Sequence, residues 1–294
     1  MPRVAYVNGR YLPFAQASVH IEDRGYQFAD GVYEVVPISG GRPVNEALHM
    51  KRLHRSLREL KIAAPMGEGA LRVVWSETAR RNRVSGDGIV YTQITRGVAH
   101  RDHGFPSPAI RPSIVVTAKS IEPARFAEKR EQGVAVVSVP DIRWGRCDIK
   151  SISLLPNVLA KQAAREHGAY EAWLVDADGN VTEGSSTTAW IVTANGEAVT
   201  RPLDEHILPG VTREALKRAL AEHQIKVVER RFSLAEAKSA SEAFLTASSF
   251  ALIPIVSIDG TTLNGGKPGP VSRRFYEVYR AKIDAGRDPE PKPV

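Results

Sequence analysis

Strand-like and helix-like segments follow one another in this chain without the regular alternation of a doubly wound sheet. The first 120 residues read as strands, then a helix, then strands, and the remainder mixes both types. A dinucleotide-binding fold needs strands and crossover helices in strict order, so we do not expect one here. At 294 residues the chain is long enough for two medium domains with separate cores. The pattern predicts a mixed α+β fold.

Two local patterns in the first half are specific enough to place elements. Val4–Val7 and residues 10–12 flank Asn8-Gly9, which predicts a hairpin. Between Asn45 and Leu60, leucines recur at helical spacing, with lysine and arginine on the opposite side. The other predicted elements are strands at 88–95, 113–118, 134–139, 171–175 and 187–192, and helices at 156–167 and 213–223.

The segment Ala118–Gln132 is charged and carries Pro123, so we interpret it as the interdomain connection. It separates a domain over residues 1–120 from a larger domain over residues 125–285. The last residues, 286–294, are rich in proline and charge and predict a disordered tail.

Composition and missing motifs exclude several classes of protein. The chain is 43% hydrophobic and 25% charged, and no apolar run is long enough to cross a bilayer. The single Cys147 excludes an intrachain disulfide and a cysteine-based zinc cluster, and the first residues lack a signal-peptide pattern. These features predict a cytoplasmic protein. Phosphate-loop, nucleophile-elbow and H-E-x-x-H motifs do not occur, so no metal site is expected.

The net charge of +7 could indicate a polyanionic partner. However, basic and acidic residues are mixed along the chain, and no arginine-rich arm stands out. We therefore expect a solvated basic surface rather than nucleic-acid binding, and a small anionic ligand suits the charge equally well.

Three segments carry candidate chemistry. Lys150 stands at the end of a strand-like stretch, where it could act as an amine nucleophile or be an ordinary solvated lysine. Glu183 lies at a strand end before a small-residue turn, where it could hydrogen-bond a pyridinium nitrogen or cap backbone amides. The segment His206–Glu214 reads as a loop entering a helix, so Thr212 either binds a phosphate or caps the helix.

Two arginines stand apart from the solvated basic residues. His49, Arg52 and Ser56 share one face of the predicted helix beside the leucines, so Arg52 points inward. A buried charge needs an anionic partner, which here is either a protein carboxylate or a phosphate. Arg101 and His103 lie close together in a loop that either grips a carboxylate or is solvated.

Taken in order, these segments resemble fold-type IV pyridoxal-phosphate enzymes over roughly Val4 to Tyr279. The matching stretches are Arg-Gly-Tyr-Gln-Phe at 24–28, Asp-Gly-Val-Tyr-Glu at 30–34, His49-x-x-Arg52-Leu53, Lys150 with Asn-Val-Leu-Ala at 157–160, Thr-Glu-Gly-Ser at 182–185 and Leu-Pro-Gly-Val-Thr-Arg at 208–213. This family contains branched-chain aminotransferases, D-amino-acid aminotransferases and aminodeoxychorismate lyases. The resemblance implies a small α/β N-terminal domain, a larger β-rich C-terminal domain and pyridoxal 5'-phosphate in a shared cleft.

The resemblance also implies a role for each matched residue. Lys150 corresponds to the lysine that carries the cofactor as a Schiff base and moves the substrate proton. Glu183 corresponds to the partner of the pyridine nitrogen, and Leu208 to the side chain packed on the ring. The phosphate is expected at Arg52, Val211, Thr212 and Ser248, with Ser249 adjacent.

Within the family, the loop from Thr95 to His103 resembles D-amino-acid aminotransferases in particular. There, Arg101 and His103 would bind the substrate α-carboxylate together with Tyr33, and the arginine and histidine would reach in from the neighbouring subunit of a homodimer. The implied activity is transamination between a D-amino acid and a 2-oxo acid by a ping-pong mechanism.

Two departures from the family pattern leave the preferred side chain open: Pro156 replaces a small residue, and Phe250-Ala251 is less polar than usual. The alternatives within the fold are a branched-chain L-amino-acid aminotransferase and an aminodeoxychorismate lyase. A non-catalytic basic binding protein is the alternative from another class.

Overall fold

The computed structural model describes residues 3–122 and 124–285 and divides into two compact units. Unit 1 comprises Met1–Pro123, Arg143–Pro156 and Leu203–Val211, and unit 2 comprises Ala124–Ile142, Asn157–Pro202 and Thr212–Val294. We expected everything from residue 125 to residue 285 in one domain, whereas two later segments group with unit 1. The tail expected at 286–294 lies outside the described residues.

The two later segments join unit 1 through backbone hydrogen bonds that the linear sequence does not reveal. The nitrogen of Ile152 donates to the carbonyl of Gly31 at 3.1 Å. The nitrogen of Asp148 donates to the carbonyl of Glu205 at 3.2 Å, which ties the two segments to each other. Lys150 therefore belongs to the same unit as the N-terminal residues.

Unit 1 is built on a six-stranded sheet. Its strands are β1 (Val4–Val7), β2 (Arg10–Pro13), β3 (Gly31–Ser39), β4 (Arg42–Pro43), β5 (Gly88–Thr95) and β6 (Ser113–Ser120). Its helices are α1 (Arg24–Phe28), α2 (Glu46–Glu59) and α3 (Glu68–Arg81), with a 3-10 turn at Phe14–Gln16. The strand order is β2-β1-β6-β5-β3-β4, and all neighbours are antiparallel.

The local patterns explain the first elements of unit 1. Asn8 and Gly9 turn between β1 and β2 with positive φ values of 47° and 97°, conformations that these two residue types tolerate best. Helix α2 begins after Asn45, and its leucine stripe is buried, with Leu53 and Leu57 in the core. This helix packs on β3, and α3 packs on β6 and β1. The hairpin and the α2 helix are confirmed.

Unit 2 holds the larger sheet. Its strands are β7 (Val134–Pro140), β8 (Glu171–Val175), β9 (Val181–Gly184), β10 (Thr188–Val192), β11 (Ala198–Thr200), β12 (Val227–Glu229), β13 (Glu242–Ala247), β14 (Ala251–Ile258) and β15 (Thr261–Thr262). The helices along this part of the chain are α4 (Ala124–Gln132), α5 (Leu155–Glu166), α6 (Val211–Glu222), α7 (Leu234–Lys238) and α8 (Pro270–Ala285), with a 3-10 turn at Asn264–Gly266.

The sheet of unit 2 has nine strands in the order β12-β11-β10-β13-β14-β7-β8-β9, with β15 paired to β14. Its parallel pairs are β11 with β12, β14 with β7, and β7 with β8. Helices α6 and α8 cover an aromatic cluster that includes Trp190, Phe244 and Phe275. The mixed α/β architecture in two units agrees with the expected fold class. No helix within the described ranges has both the length and the apolar character needed to cross a membrane.

The interdomain connection expected within Ala118–Gln132 agrees with the boundary between the two units, which falls before Ala124. The helix in this stretch was not predicted: β6 continues to Ser120, and Ala124–Gln132 forms α4. The helix has the sequence ARFAEKREQ, in which Phe126 is the only large apolar residue, and none of its residues is buried. A short helix with so weak an apolar stripe resembles a solvated linker in sequence.

Candidate active site

Lys150 lies in an irregular segment of unit 1, not at the end of a strand as its sequence context indicated. A turn at Cys147 and Asp148 precedes it, and the adjacent Ser151 forms an isolated bridge with Val32 of β3. Ion pairs from Arg55 and Arg146 hold Asp148 in this turn. Although burial acts to raise it, these two guanidinium groups keep the pKa of Asp148 below its usual range. The carboxylate therefore stays charged and fixes the turn.

Two backbone hydrogen bonds fix Lys150 itself. Its nitrogen donates to the Oγ atom of the fully buried Ser56 on α2 at 3.2 Å. Its carbonyl accepts from the nitrogen of Tyr33 on β3 at 3.0 Å. The Nζ atom lies 4.0 Å from the centroid of the Tyr33 ring. The amine is thus held against an aromatic face by a strand and a helix.

Gly31 allows the Lys150 segment to approach β3 closely. A Cβ atom at this position would lie 2.7 Å from the carbonyl oxygen of Ile94 and 3.0 Å from the Cδ1 atom of Ile152. The first of these contacts is with backbone, which cannot move aside. This steric limit explains the glycine that precedes Val32 and Tyr33 in the matched motif.

Beside Lys150, three buried polar side chains form one network. The carboxylate of Glu34 accepts from Arg52 Nε at 3.0 Å and from a second guanidinium nitrogen, and it lies 2.9 Å from His49 Nδ1. Although burial acts to raise it, Arg52 and His49 hold the pKa of Glu34 well below its usual range. Burial lowers the pKa of His49, against the opposing effect of Glu34. The network is therefore a charged Glu34–Arg52 pair with a neutral imidazole.

The inward face predicted for α2 is confirmed, since His49, Arg52 and Ser56 are all buried. The partner of Arg52, which the sequence left open, is the carboxylate of Glu34. Arg52 also donates to the carbonyl of Pro209 at 3.1 Å, which brings it to the Leu208–Val211 segment. Three of its five N–H donors are thereby engaged.

These residues of unit 1 fit a bound phosphate group. Helix α6 begins at Val211, directly after the Pro209 carbonyl that Arg52 contacts, and a helix N-terminus offers free amides to an anion. Arg52 retains donors beyond those used by Glu34 and Pro209. The buried His49 Nε2 atom has no hydrogen-bond partner in the described chain. A guanidinium group with donors to spare, held at the segment that leads into a helix, suits a phosphate.

Glu183 belongs to unit 2, where it is buried in β9. The strand around it is fixed on both sides. Thr182 donates to the carbonyl of Leu174, and the nitrogen of Ser185 donates to the carbonyl of Ala172 at 2.9 Å. Asn157, from the matched Asn-Val-Leu-Ala stretch, donates to the carbonyl of Ser185 at 2.8 Å. A rigid strand therefore carries this carboxylate.

The other expected phosphate residues of unit 2 lie at two element ends. Thr212 is buried in the first turn of α6, which begins one residue earlier, so it is not the residue that precedes the helix. Arg213 anchors this turn by donating to the carbonyl of Arg201 at 2.9 Å. Ser248 and Ser249 form the turn between β13 and β14 and are half-buried. Hydroxyl groups at such positions suit an anion.

The predicted carboxylate-binding side chains, Arg101 and His103, meet at one aromatic ring. The guanidinium carbon of Arg101 lies 5.1 Å from the centroid of the Phe28 ring, and the His103 ring lies 5.3 Å from it. Both side chains are exposed. Tyr33, which was expected to act with Arg101 and His103 of a neighbouring subunit, contacts Lys150 and Tyr91 of its own chain. Within one chain, Arg101 and His103 therefore lie against the same ring, and Tyr33 lies beside Lys150.

Sequence reasoning assigned no role to Glu34, and it placed Ser56 on the inward face of α2 without relating it to Lys150. Glu34 was part of a matched motif without a role of its own. Its signal was the alternation of β3, where Val32, Glu34 and Val36 are all fully buried on one side. A carboxylate at an inward strand position needs a buried cation, and the inward Arg52 is that cation.

Comparisons with known proteins identify relatives of this chain. The family model described as "Amino-transferase class IV" matches residues 31–258. The chain is 36% identical to the D-alanine aminotransferase of Staphylococcus aureus (strain N315), over 95% of this chain and 98% of that one. It is 38% identical to the D-alanine aminotransferase of Bacillus licheniformis, over 94% and 95%.

Two solved structures show the same fold at low sequence identity. The Escherichia coli branched-chain amino acid aminotransferase has a TM-score of 0.88 at 22% identity, covering 99% of this chain and 98% of that chain. The PLP-bound form of a hypothetical aminotransferase from Mycobacterium tuberculosis has a TM-score of 0.82 at 22% identity, covering 97% and 100%.

Proposed function

Because the chain belongs to the class IV aminotransferase family, we propose that it transfers the amino group of a D-amino acid to a 2-oxo acid. The cofactor is pyridoxal 5'-phosphate. The observation that carries the proposal is the convergence of Arg101 and His103 on Phe28. Two cationic or hydrogen-bonding groups that contact the same ring suit an α-carboxylate. The two relatives described above are both named D-alanine aminotransferase.

In unit 1, Lys150 is the proposed cofactor-bearing and proton-transferring residue. Its amine is the nucleophile that an aldehyde cofactor requires, and Ser56 and Tyr33 fix its backbone. When it is not bonded to the cofactor, the Lys150 amine would move the proton at the substrate α-carbon. Arg52 and Val211 are proposed to bind the phosphate, and Leu208 to pack on the ring.

In unit 2, Glu183 is the proposed partner of the pyridine nitrogen, held on a rigid strand. Thr212, Ser248 and Ser249 are proposed to add hydroxyl groups for the phosphate. When bound, pyridoxal phosphate supplies an electron sink for the substrate α-carbon. The Glu183 carboxylate would keep the ring nitrogen protonated, which would strengthen that sink.

We also propose that the active form is a homodimer in the cytoplasm. Arg101 and His103 are exposed, and so are Val98 and Phe105 in the same loop. Ile21 and Tyr26 are exposed as well, in the neighbouring segment whose Glu22 carbonyl accepts from the nitrogen of Ala99. An exposed apolar surface around functional side chains is typical of an interface. This supports a second copy receiving Arg101 and His103 beside its own substrate. The only cysteine of the chain, Cys147, is not in a disulfide, which suits a reducing compartment.

Stereochemistry separates this proposal from the branched-chain alternative. A grip on the α-carboxylate from one side determines which enantiomer turns its α-hydrogen to Lys150. The fold itself does not decide, because the solved structure with a TM-score of 0.88 is that of a branched-chain enzyme.

The test is a pair of half-reactions with the PLP-loaded enzyme, using D-alanine and L-alanine without an amino acceptor. Loss of the visible absorbance of the enzyme-bound PLP should be at least about 100-fold faster with D-alanine. A preference for L-alanine would reject the proposal in favour of the branched-chain alternative. Protein that takes up no PLP would support a non-catalytic binding function instead.

A further inference from the structure

Arg24 opens the Arg-Gly-Tyr-Gln-Phe stretch at 24–28 and has no part in the proposed function. It is the first residue of α1, which Asp23 caps by accepting from the nitrogen of Gly25 at 2.9 Å. The residue is only 2% exposed. A buried arginine is costly unless each donor meets an acceptor, so its partners indicate what it holds.

Its donors reach the backbone of the Arg101 loop, residues 97–105. One terminal nitrogen of Arg24 donates to the carbonyl of Asp102 at 2.6 Å, and the other to the carbonyl of His103 at 3.3 Å. Asp102 stands between Arg101 and His103 in the sequence, so both carbonyls belong to the stretch that carries these two side chains. The backbone nitrogen of Arg24 also donates to the carbonyl of Gly97 at 2.9 Å, at the start of the loop. Arg24 thus holds both the start of the loop, at Gly97, and the part that carries the two predicted carboxylate-binding side chains.

The side chains of the loop rest on the same helix. The guanidinium carbon of Arg24 lies 4.8 Å from the centroid of Phe28, the ring that Arg101 and His103 also contact. Helix α1 therefore presents Arg24 to the loop backbone and Phe28 to its side chains. Arg101 and His103 are exposed, but Arg24 and Phe28 of α1 fix the backbone and the side chains of this part of the loop.

A second arginine anchors this arrangement to the rest of unit 1. Asp30 accepts from Arg24 Nε at 2.8 Å and from Arg96 Nε at 2.7 Å. Arg96 also donates to the carbonyls of Leu60 and Lys61 at the end of α2, and the Phe105 ring of the loop lies 3.6 Å from its guanidinium carbon. The position of the loop is thereby set relative to the helix that carries Arg52.

We infer that Arg24 is a positioning residue that holds Arg101 and His103 in the geometry for binding the substrate α-carboxylate. The inference rests on the proposed function, because that function assigns the carboxylate to Arg101 and His103. A preorganised pair of side chains binds the carboxylate more tightly than a mobile pair, because less conformational entropy of the loop is lost on binding. Removing the Arg24 donors should therefore weaken carboxylate binding and leave proton transfer at saturation largely intact.

The test is a double-mutant cycle in the holoenzyme with Arg24→Lys and Arg101→Ala. With D-alanine, Arg24→Lys should raise KM about tenfold and change kcat by less than about threefold. With D-alaninamide, which lacks the carboxylate charge, KM should stay within about twofold of the parent. In the Arg101→Ala background, Arg24→Lys should have less than about a twofold further effect on KM for D-alanine. Equal losses with both substrates, or additive losses in the cycle, would overturn the inference.

Two further variants keep the result interpretable. Arg81→Lys is the matched control, since Arg81 also pairs with a carboxylate, Glu77, and lies 4.2 Å from an aromatic ring centroid, that of Tyr11. It should leave both KM values unchanged. Phe28→Leu covers the case in which Arg24→Lys does not fold, and it should raise KM for D-alanine alone; no such rise would also overturn the inference. If Arg101→Ala itself leaves KM for D-alanine unchanged, the carboxylate assignment in the proposed function fails, independently of Arg24.

Discussion

The buried hydroxyl of Ser56 accepts the backbone N–H of Lys150 at 3.2 Å, so α2 directly fixes the segment that presents the amine. Replacing Ser56 with Ala leaves that N–H without its acceptor, at a cost of about 1–3 kcal/mol. Because the segment would shift, we expect kcat with D-alanine to fall about tenfold.

Thr78→Ala is the matched control for Ser56→Ala. Thr78 is also a fully buried hydroxyl residue of unit 1, and it donates to the carbonyl of Val74 within α3. Thermal unfolding and steady-state kinetics should show a loss of stability in both variants but a fall in kcat only in Ser56→Ala. Equal kinetic effects would show that Ser56 has no special relation to Lys150.

The second prediction concerns the Glu34–Arg52 pair. Glu34→Gln keeps the size of the side chain but leaves Arg52 buried without a carboxylate, so the apoenzyme should lose about 3–5 kcal/mol of stability. An added anion can replace the missing charge. Inorganic phosphate should therefore raise the Tm of Glu34→Gln by more than it raises the Tm of the parent.

Glu77→Gln provides the comparison for Glu34→Gln. Glu77 pairs with Arg80 and Arg81 on the exposed side of α3, where ion pairs contribute little to stability. Its loss should leave the Tm nearly unchanged with or without phosphate. A phosphate response in Glu34→Gln no larger than the parent's would contradict an anion site at Arg52.

The third prediction is a pH dependence that originates at His49. Burial lowers its pKa in the folded state, so the unfolded chain binds the proton more readily. The contribution of His49 to the free energy of unfolding is then fully present above the ordinary histidine pKa of about 6.5. It falls as the pH drops below that value, by up to about 1.4 kcal/mol per pH unit. Denaturant unfolding at several pH values between about 7.5 and about 5.5 measures this slope.

His49→Gln should flatten the slope, because glutamine can still donate to Glu34 but does not titrate. Other histidines contribute the same background in both proteins, so the difference between the two slopes isolates His49. Identical slopes would mean that His49 has the same proton affinity in the folded and unfolded chain.

Much of the fold could be predicted where local periodicity was strong. Asn8-Gly9 located the first hairpin, and the leucines of residues 45–60 located α2 within one residue at each end. Helix α4 was missed because its charged sequence lacks a clear apolar stripe. The membership of Lys150 in unit 1 was also beyond sequence patterns, since it depends on long-range hydrogen bonds such as that between Ile152 and Gly31.

The candidate site could be predicted one residue at a time but not as a network. The helical spacing of His49, Arg52 and Ser56 correctly indicated a buried polar face. It could not identify Glu34 as the partner, because that carboxylate comes from a different element. The contacts of Arg24 with the carbonyls of Asp102 and His103 could not be predicted either, because every residue type has a backbone carbonyl and the sequence does not indicate which one accepts.

The last prediction tests whether Arg101 serves its own subunit or a neighbour. Lys150→Ala removes the amine, and Arg101→Ala removes the proposed carboxylate contact, so each homodimer should have little activity at a D-alanine concentration well below the KM of Arg101→Ala. If Arg101 acts across the interface, a mixed dimer contains one site with both residues intact and one site with neither. Unfolding and refolding the two variants together at equal amounts should then restore about a quarter of the parent activity, since half of the dimers are mixed and each has one intact site. If Arg101 serves its own subunit, every site lacks one of the two residues whatever the pairing, and refolding together restores nothing. Refolding each variant alone controls for recovery, and sedimentation of the product establishes that dimers have formed.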